Sequence, residues 1–317
     1  MILTVTLNPA IDKALEVPDF RVRAHARARV RSLLPAGKGN NVARGVARLG
    51  GRAVASGFIG REEEGLFARS LAEDGIESRF QTVEGRTRTN TTVLDPEAHT
   101  TTHLREEGFE ATEDDRAGLT DVLLNLIAEH PGAPVVFAGS LPRGMEPEDF
   151  AAMLVACADA GADVLVDTNG PALHAAFESG AVTALKPNLD ELGELTGQTV
   201  SPDRAVEVAR FLTDRVPTIL LTLGADGACL LRDDAAIGRR CPLRGDEVRN
   251  TVGCGDAFLA GWLRGGEMAA DPAERLEWAV AAGAASATSE TTVGYTLEDV
   301  RGLLPRCEPR GPTSNNG

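Results

Sequence analysis

Asp256 closes the run Asn250-Thr251-Val252-Gly253-Cys254-Gly255-Asp256 and stands directly before the apolar stretch Ala257-Phe258-Leu259-Ala260-Gly261-Trp262-Leu263. Two glycines around one small residue let backbone N–H groups point into a common space. The apolar stretch predicts a buried helix, whose first turn leaves unpaired N–H donors and a partial positive charge. Loop and helix start together make an anion hole at Gly253, Cys254 and Gly255. A carboxylate at the mouth of such a hole repels a bound anion. It makes chemical sense if it accepts a proton from an alcohol while the hole holds the charge of a transferring phosphoryl group. The plainer alternative is a Gly-rich turn in which Asp256 caps the helix.

Four further segments carry related chemistry. Gly37-Lys38-Gly39, with Asn41 behind it, puts an ammonium between two flexible residues and a carboxamide beside a helix start. That suits a phosphate or a polyol, or makes an ordinary Gly-rich turn with an Asn cap. Asp12 follows Asn8-Pro9-Ala10-Ile11, where a carboxylate can accept two sugar hydroxyl hydrogens or sit solvated in a turn. Lys186-Pro187-Asn188 with Glu191 offers an ammonium, an amide and a carboxylate near a strand end. Asn188 and Glu191 can hold magnesium through waters, or Glu191 can simply serve the helix dipole. Gly224-Ala225-Asp226-Gly227 lets backbone approach a nucleotide, or is a plain hairpin turn. Only three of the 32 basic residues are lysines, Lys13, Lys38 and Lys186, so Lys38 and Lys186 stand out as compact ammoniums in a chain that otherwise uses arginine. His99 and His103 lack a third ligand nearby and do not read as a metal site.

The elements that position these residues follow from the hydrophobic pattern. Residues 2–7 predict a strand stopped by Asn8-Pro9. From Arg21 to Arg31 every odd position is arginine or His25, with alanine or valine between, which predicts a strand with one basic face. A helix is expected to start at Val42 and end near Leu49, followed by a strand over 53–59 and a helix over 62–74. Residues 87–94 and 100–105 read as an exposed, Thr-rich strand pair. Strands at 135–138, 164–167, 184–188, 218–223 and 228–231 are separated or followed by helices at 117–130, 150–160, 203–215, 256–263 and 273–289. This alternation predicts an α/β fold with a central, mostly parallel sheet covered by helices on both faces. The polar strands near 10–35 and 85–106 form a small second sheet. Residues 1–308 read as one domain and 309–317 as a disordered tail. Ligands of such sheets bind beyond the carboxyl ends of the strands, where most of the residues above fall.

Bulk properties exclude several classes. A net charge of −15 over 317 residues argues against nucleic acid and anionic membranes as partners. No apolar run approaches the length of a transmembrane helix, and residues 1–7 do not read as a signal peptide. The five cysteines are odd in number and scattered, without a CxxC pair, which fits a cytoplasmic, reducing compartment rather than a disulfide framework or zinc site. Neither GxxxxGK[ST] nor a strand-linked GxGxxG is present, so P-loop and Rossmann readings lose their support.

Taken in order, Thr6-Leu7-Asn8-Pro9-Ala10-Ile11-Asp12, Gly37-Lys38-Gly39-Asn40-Asn41, Ala138-Gly139-Ser140-Leu141-Pro142, Lys186-Pro187-Asn188 and the Asn250–Asp256 run resemble the PfkB (ribokinase-like) carbohydrate kinase family over nearly the whole chain. The first segment is most similar to the branch acting on phosphorylated ketohexoses, comprising 1-phosphofructokinases, tagatose-6-phosphate kinases and minor 6-phosphofructokinases. The resemblance implies a ribokinase-like fold whose small β-sheet lid mediates a homodimer. It makes Asp256 the catalytic base and the backbone of Gly253, Cys254 and Gly255 the anion hole. Asp12, Gly37 and Asn41 would hold sugar hydroxyls, and Lys38 and Arg88 the phosphate the substrate already carries. Asn188 and Glu191 match an element for Mg2+ and phosphate, while Lys186, Thr222, Gly224 and Gly227 belong to the nucleotide side. The implied reaction is transfer from ATP to D-fructose 1-phosphate, giving fructose 1,6-bisphosphate. Tagatose 6-phosphate, fructose 6-phosphate or an unphosphorylated sugar or nucleoside are the alternative acceptors. A catalytically silent sugar-phosphate sensor is the alternative from another class, against which the intact Asp256, Asn188 and Glu191 argue. Three departures stand out: Cys254 replaces an alanine, Ala36 a glycine, and Asn40 an apolar residue, the last expected to add a polar group beside the sugar.

Overall fold

The structure, a computed structural model, describes residues 1–310. The chain opens with β1 (Ile2–Thr6), β2 (Ala10–Glu16), β3 (Arg29–Ala36), α1 (Lys38–Arg48), β4 (Ala53–Gly60), α2 (Glu64–Glu73) and β5 (Glu77–Val83). The middle third holds β6 (Arg88–Asp95), β7 (Thr100–Arg105), α3 (Glu113–Glu129), β8 (Val135–Ala138), α4 (Pro147–Asp159), β9 (Val164–Asp167), α5 (Gly170–Glu178), β10 (Ala184–Leu185), α6 (Leu189–Thr196) and α7 (Ala205–Ala209). The last comprises β11 (Thr218–Thr222), β12 (Ala228–Arg232), β13 (Ala235–Arg240), α8 (Cys254–Met268), α9 (Pro272–Thr288), α10 (Leu297–Leu303) and β14 (Glu308–Pro309).

Ten strands form one sheet in the order β14-β13-β12-β11-β10-β9-β8-β1-β4-β5. Pairing is parallel from β5 to β11 and antiparallel from β11 to β14. β1, β4, β8 and β9 are buried along their whole length, as expected of parallel strands covered on both faces. Alternate residues feed two cores. Leu3, Val5 and Val54 pack with α3, α4 and α5, whereas Ile2, Ala53 and Ala55 pack with α1, α8 and α9. The carboxyl ends of β1, β8, β9, β10 and β11 therefore lie side by side, and the chain turns to opposite sides of β1 to reach β4 and β8. That reversal is where ligands bind in open α/β sheets.

β3, β2, β6 and β7 form the small sheet, in that order. Its register puts Asp12 opposite Asn90, and Asn90 opposite Arg105. The Asp95 carboxylate fixes its tip by accepting from the backbone N–H groups of Asp19, Phe20, Glu97 and Ala98 at 2.8–3.2 Å.

Several expectations need correction. The alternating 21–31 segment is not one strand: only its last three residues enter β3, and the rest forms an exposed loop with left-handed backbone at Arg23, as also at Asp19 just before it. Its spacer residues are mostly alanine, which has little preference for a pleated surface, while Asp95 gathers the loop's start into a turn. The 203–215 helix divides into α7 and a 3-10 turn over Arg210–Asp214. α1 begins at Lys38 rather than Val42, because Thr6 Oγ1 accepts from the Asn40 N–H at 3.0 Å and so satisfies a first-turn donor. Pro309 does not belong to a loose tail, since it pairs with Arg239 in the main sheet; residues 311–317 lie outside the described residues.

Candidate active site

Gly253 precedes α8 with φ +83°, a left-handed conformation that favours glycine, and a Cβ there would collide with Thr292. α8 then starts at Cys254, one turn earlier than its apolar run, so Gly255 and Asp256 belong to its first turn. Asp256 is 6% exposed and makes no cap hydrogen bond. Its Oδ2 instead accepts from Asn41 Nδ2 at 2.8 Å, across from the first turn of α1. The helix-cap alternative thus fails, and two helix N-termini meet at one carboxylate.

Burial pushes the Asp256 pKa up to about 6, with the Asp167 carboxylate adding to the effect, and Asn41, Lys38 and Lys186 opposing it. Asp167, the last residue of β9, is 1% exposed. Its Oδ1 receives Lys186 Nζ at 3.2 Å and Lys38 Nζ at 3.5 Å. Burial works against its charge, yet the two ammoniums hold its carboxyl below the usual range. Burial also opposes the Lys38 charge, but Asp167, Asp256 and Glu191 prevail and raise it. Lys186 is itself buried, and its Nζ lies where a Cβ on Gly255 would come within 3.6 Å. An ammonium therefore stands over the N-terminus of α8, within van der Waals reach of that position.

Asn188 and Glu191 close the start of α6 reciprocally. Asn188 Oδ1 accepts from the Glu191 N–H at 2.9 Å, and Glu191 Oε2 from the Asn188 N–H at 2.8 Å. Glu191 is buried, which raises its pKa, with Lys186 opposing. The dipole-serving alternative thus holds for Oε2 and leaves Oε1 free of that cap. Of the six buried side-chain oxygens without a protein partner among the described residues, Asp167 Oδ2 and Asn41 Oδ1 belong to this cluster, a costly condition unless a ligand or water meets them. Among the described residues no group of three or more His, Cys, Asp or Glu side chains is placed to hold a metal ion directly.

The remaining expected residues sit around this cluster. Asp12 accepts from Asn90 Nδ2 at 3.0 Å on the small sheet. Arg88 donates to the Asn8 and Pro9 carbonyls at 3.1 and 3.3 Å, and its charge is disfavoured by burial and by neighbouring Arg105, with Asp12 favouring it. Arg88 thus belongs with Asp12, whereas Lys38 belongs with Asp167 and Asp256. Gly37 lies at the α1 entry, with a Cβ excluded by Thr6 Cγ2 at 2.5 Å. Thr222 donates its N–H to the Pro187 carbonyl at 2.9 Å, and Gly224 and Gly227 form the tight turn between β11 and β12. That turn is the hairpin alternative, placed beside Lys186-Pro187-Asn188. A cleft of about 920 Å³ runs between the small sheet and the body, lined by Asp12, Asn90, Arg105, Arg44 and Asn250 among others. It adjoins the carboxylate–lysine cluster rather than containing it.

Asn40 is a further correction. It is fully buried and donates Nδ2 to the Ala36 carbonyl at 3.2 Å, so it faces the protein and not the sugar. Sequence reasoning also passed over Asp167, whose one signal was its place at the carboxyl end of a buried parallel strand.

Residues 5–298 match the model of the pfkB family carbohydrate kinases. The chain is 35% identical over 282 residues to a 1-phosphofructokinase of Rhodobacter capsulatus, covering 88% of each. It is 32% identical to a 1-phosphofructokinase of Bacillus subtilis, covering 96% of this chain and 98% of the relative. The phosphofructokinase-2 of Escherichia coli, solved in complex with potassium, superposes with a TM-score of 0.88 at 26% identity, over 96% of this chain and 98% of that one. Fold, motif order and sequence agree: this chain belongs to the pfkB family of carbohydrate kinases, phosphotransferases that act on an alcohol group.

Proposed function

We propose that the protein transfers the γ-phosphoryl group of ATP to the 6-hydroxyl of D-fructose 1-phosphate. The observation that carries the chemistry is Asp256: a buried carboxylate, oriented by Asn41 and free of any capping bond, at a helix N-terminus. Its pKa near 6 leaves it mostly ionised at pH 7 yet basic enough to receive a proton. Asp256 takes the hydroxyl proton as the sugar oxygen attacks the γ-phosphorus, and ADP departs. Backbone N–H groups of Gly253, Cys254 and Gly255 receive the charge on the moving phosphoryl oxygens, with Lys186 above them. Asn41 Oδ1, Asp12 and the Gly37 backbone take the sugar hydroxyls. Arg88 meets the existing phosphate, while Lys38, placed beside Asp167 and Asp256, serves the transferring end. Thr222, Gly224 and Gly227 lie along the nucleotide.

Glu191 and Asn188 would hold Mg2+ through water, with the unpartnered Asp167 Oδ2 beside them. When bound, that ion offsets charge on the β- and γ-phosphates. The acceptor assignment rests on the relatives named 1-phosphofructokinase and on the Asp12–Asn90 pair beside Arg88 and Arg105.

We further propose a cytoplasmic homodimer formed through the small sheet, which then acts as the lid that excludes water. Val30, Leu33, Leu34, Leu94 and Leu104 are exposed on that sheet, an apolar grouping that favours a protein partner. Escherichia coli phosphofructokinase-2 has been solved as an inhibited tetramer. No helix among the described residues is long and apolar enough to cross a membrane.

The test is initial-rate ADP production with fructose 1-phosphate, fructose 6-phosphate, tagatose 6-phosphate, fructose and ribose. A kcat/KM for fructose 1-phosphate well above the rest supports the assignment. Turnover confined to unphosphorylated sugars overturns the role of Arg88, and no ADP from any acceptor returns the sensor reading.

A further inference from the structure

We propose that Cys241 and Cys307 form a redox modification site, converted to an intramolecular disulfide by a low-molecular-weight disulfide such as oxidised glutathione. Neither residue takes part in phosphoryl transfer. Cys241 follows β13 and Cys307 precedes β14. These strands are antiparallel, with Arg239 opposite Pro309 and Arg240 opposite Glu308. One further step along that ladder places Cys241 opposite Cys307. Directly opposed residues of an antiparallel pair have Cα atoms about 4.5 or 5.5 Å apart, inside the span a disulfide accepts.

The side chains are already turned toward each other. Cys241 belongs to the core beside α9, and Cys307 packs against it. Cys241 Sγ and Cys307 Sγ both stand 3.7 Å from the Leu303 carbonyl oxygen, and Cys307 Sγ stands 3.7 Å from the Glu277 carbonyl oxygen as well. The backbone on both sides is clamped: Arg306 donates to the Pro242 carbonyl at 2.7 Å and to both Glu247 oxygens at 3.0 and 2.9 Å. Closing the bond therefore requires little rearrangement. The neighbouring Cys307 thiol holds the Cys241 thiol below its ordinary range, against burial, with the Arg306 cation assisting. Cys307 is the more exposed of the two, which gives a small reagent access. The other three cysteines have no such partner: Cys157 and Cys229 are buried apart, and Cys254 lies at the anion hole.

The chemistry balances as thiol–disulfide exchange. A thiolate of the pair attacks one sulfur of oxidised glutathione, breaking its S–S bond and releasing one glutathione thiolate. The second cysteine, giving its proton to that thiolate, attacks the mixed disulfide and releases a second glutathione. Two protein thiols are oxidised and one reagent disulfide is reduced. The product staples the C-terminal strand to the strap over residues 241–249, whose end is held by the Arg249 N–H on the Ala287 carbonyl at 2.8 Å. That strap delivers the chain to Asn250 and the anion-hole loop. The bond would close a loop containing α8, α9 and α10.

The experiment treats the full-length protein with oxidised glutathione, then counts thiols and maps disulfide-linked peptides by mass spectrometry. The expected result is loss of two of the five thiols, a 241–307 link reversed by dithiothreitol, and a melting temperature raised by roughly 5 °C. Cys241→Ser and Cys307→Ser should each lose the link and the shift. Retention of all five thiols, a bond involving Cys254, or a stable glutathione adduct at Cys307 without ring closure would overturn the proposal. Because wild-type protein alone decides the mapping, a variant that folds poorly leaves the test intact.

Discussion

Replacing Asn41 by alanine should move the acid limb of the pH–rate profile. Asn41 Nδ2 is the one side-chain donor to Asp256 among the described residues, at 2.8 Å, and it favours the ionised carboxylate against burial and Asp167. A hydrogen bond to a charged group is worth about 1.5–3 kcal/mol, and one pKa unit corresponds to about 1.36 kcal/mol. Losing it should raise the Asp256 pKa from about 6 by roughly one to two units. At pH 7 the ionised fraction then falls from about nine-tenths to between about one-half and one-tenth, a roughly two- to tenfold loss of kcat/KM on that account alone. The loss should disappear above about pH 9. Asn41 also borders the proposed sugar site, so KM rises at every pH; the position of the limb, not its height, isolates the electrostatic role. The assay is kcat/KM for fructose 1-phosphate between pH 5 and pH 9.5, with a coupled ADP readout. A uniformly lowered profile with an unmoved limb would refute the reasoning, for Asn41 would then serve only the sugar.

Three other outcomes follow from the same structure. Asp256→Asn should abolish turnover and stabilise the fold: a carboxyl raised from 3.8 to about 6 on folding contributes stability that is lost as pH rises through 6, so at pH 8 the variant should gain up to about 3 kcal/mol, with no gain below pH 3.8, as thermal melts across pH can check. Asp167→Asn leaves Lys38 and Lys186 without their shared counter-ion and should cost about 3–5 kcal/mol by urea unfolding, together with most of kcat. Leu33→Glu with Leu104→Glu should yield a monomer in analytical ultracentrifugation if the small sheet joins two copies, and an unchanged sedimentation coefficient removes that interface.

The main sheet was legible because its strands are buried on both faces and read as short apolar runs between helical stretches. The two strands of the small sheet over 88–105 were legible for the opposite reason, as Thr-rich, polar runs too hydrophilic for the core. β14 and the break in the 203–215 helix were not, since two-residue pairing and a 3-10 turn leave no periodic trace. At the site, Asp256, Lys38, Lys186 and Asn41 could be singled out by type and by neighbouring glycines. Their grouping could not, because α1 and α8 meet over a sequence separation of 215 between Asn41 and Asp256. Asp167 was silent for a simpler reason: an aspartate ending a strand also reads as an ordinary turn residue. Asn40 and Asn41 show the limit of motif reading, for adjacent amides one helical step apart face the core and the site respectively.

A chain with a net charge of −15 is an unexpected host for two anionic substrates, and the site's arrangement resolves the conflict by distance. Long-range repulsion from scattered carboxylates is screened within about 10 Å at 0.1 M salt. Inside that range the two lysines and the N-termini of α1 and α8 converge. Asp167 gives both lysines a counter-charge, placing one oxygen against the buried Lys186 and the half-exposed Lys38. A triphosphate arriving at the same ammoniums replaces that compensation without having to create it. The two length scales make opposite demands on salt. Raising ionic strength from about 0.01 to 0.1 M, where the screening length falls from roughly 30 to 10 Å, should increase kcat/KM for ATP by removing the distant repulsion. Further salt should weaken the contacts at the lysines and lower it. A monotonic fall from the lowest salt onward would mean that the local cluster already dominates the approach, and that the acidic surface does not shape the encounter.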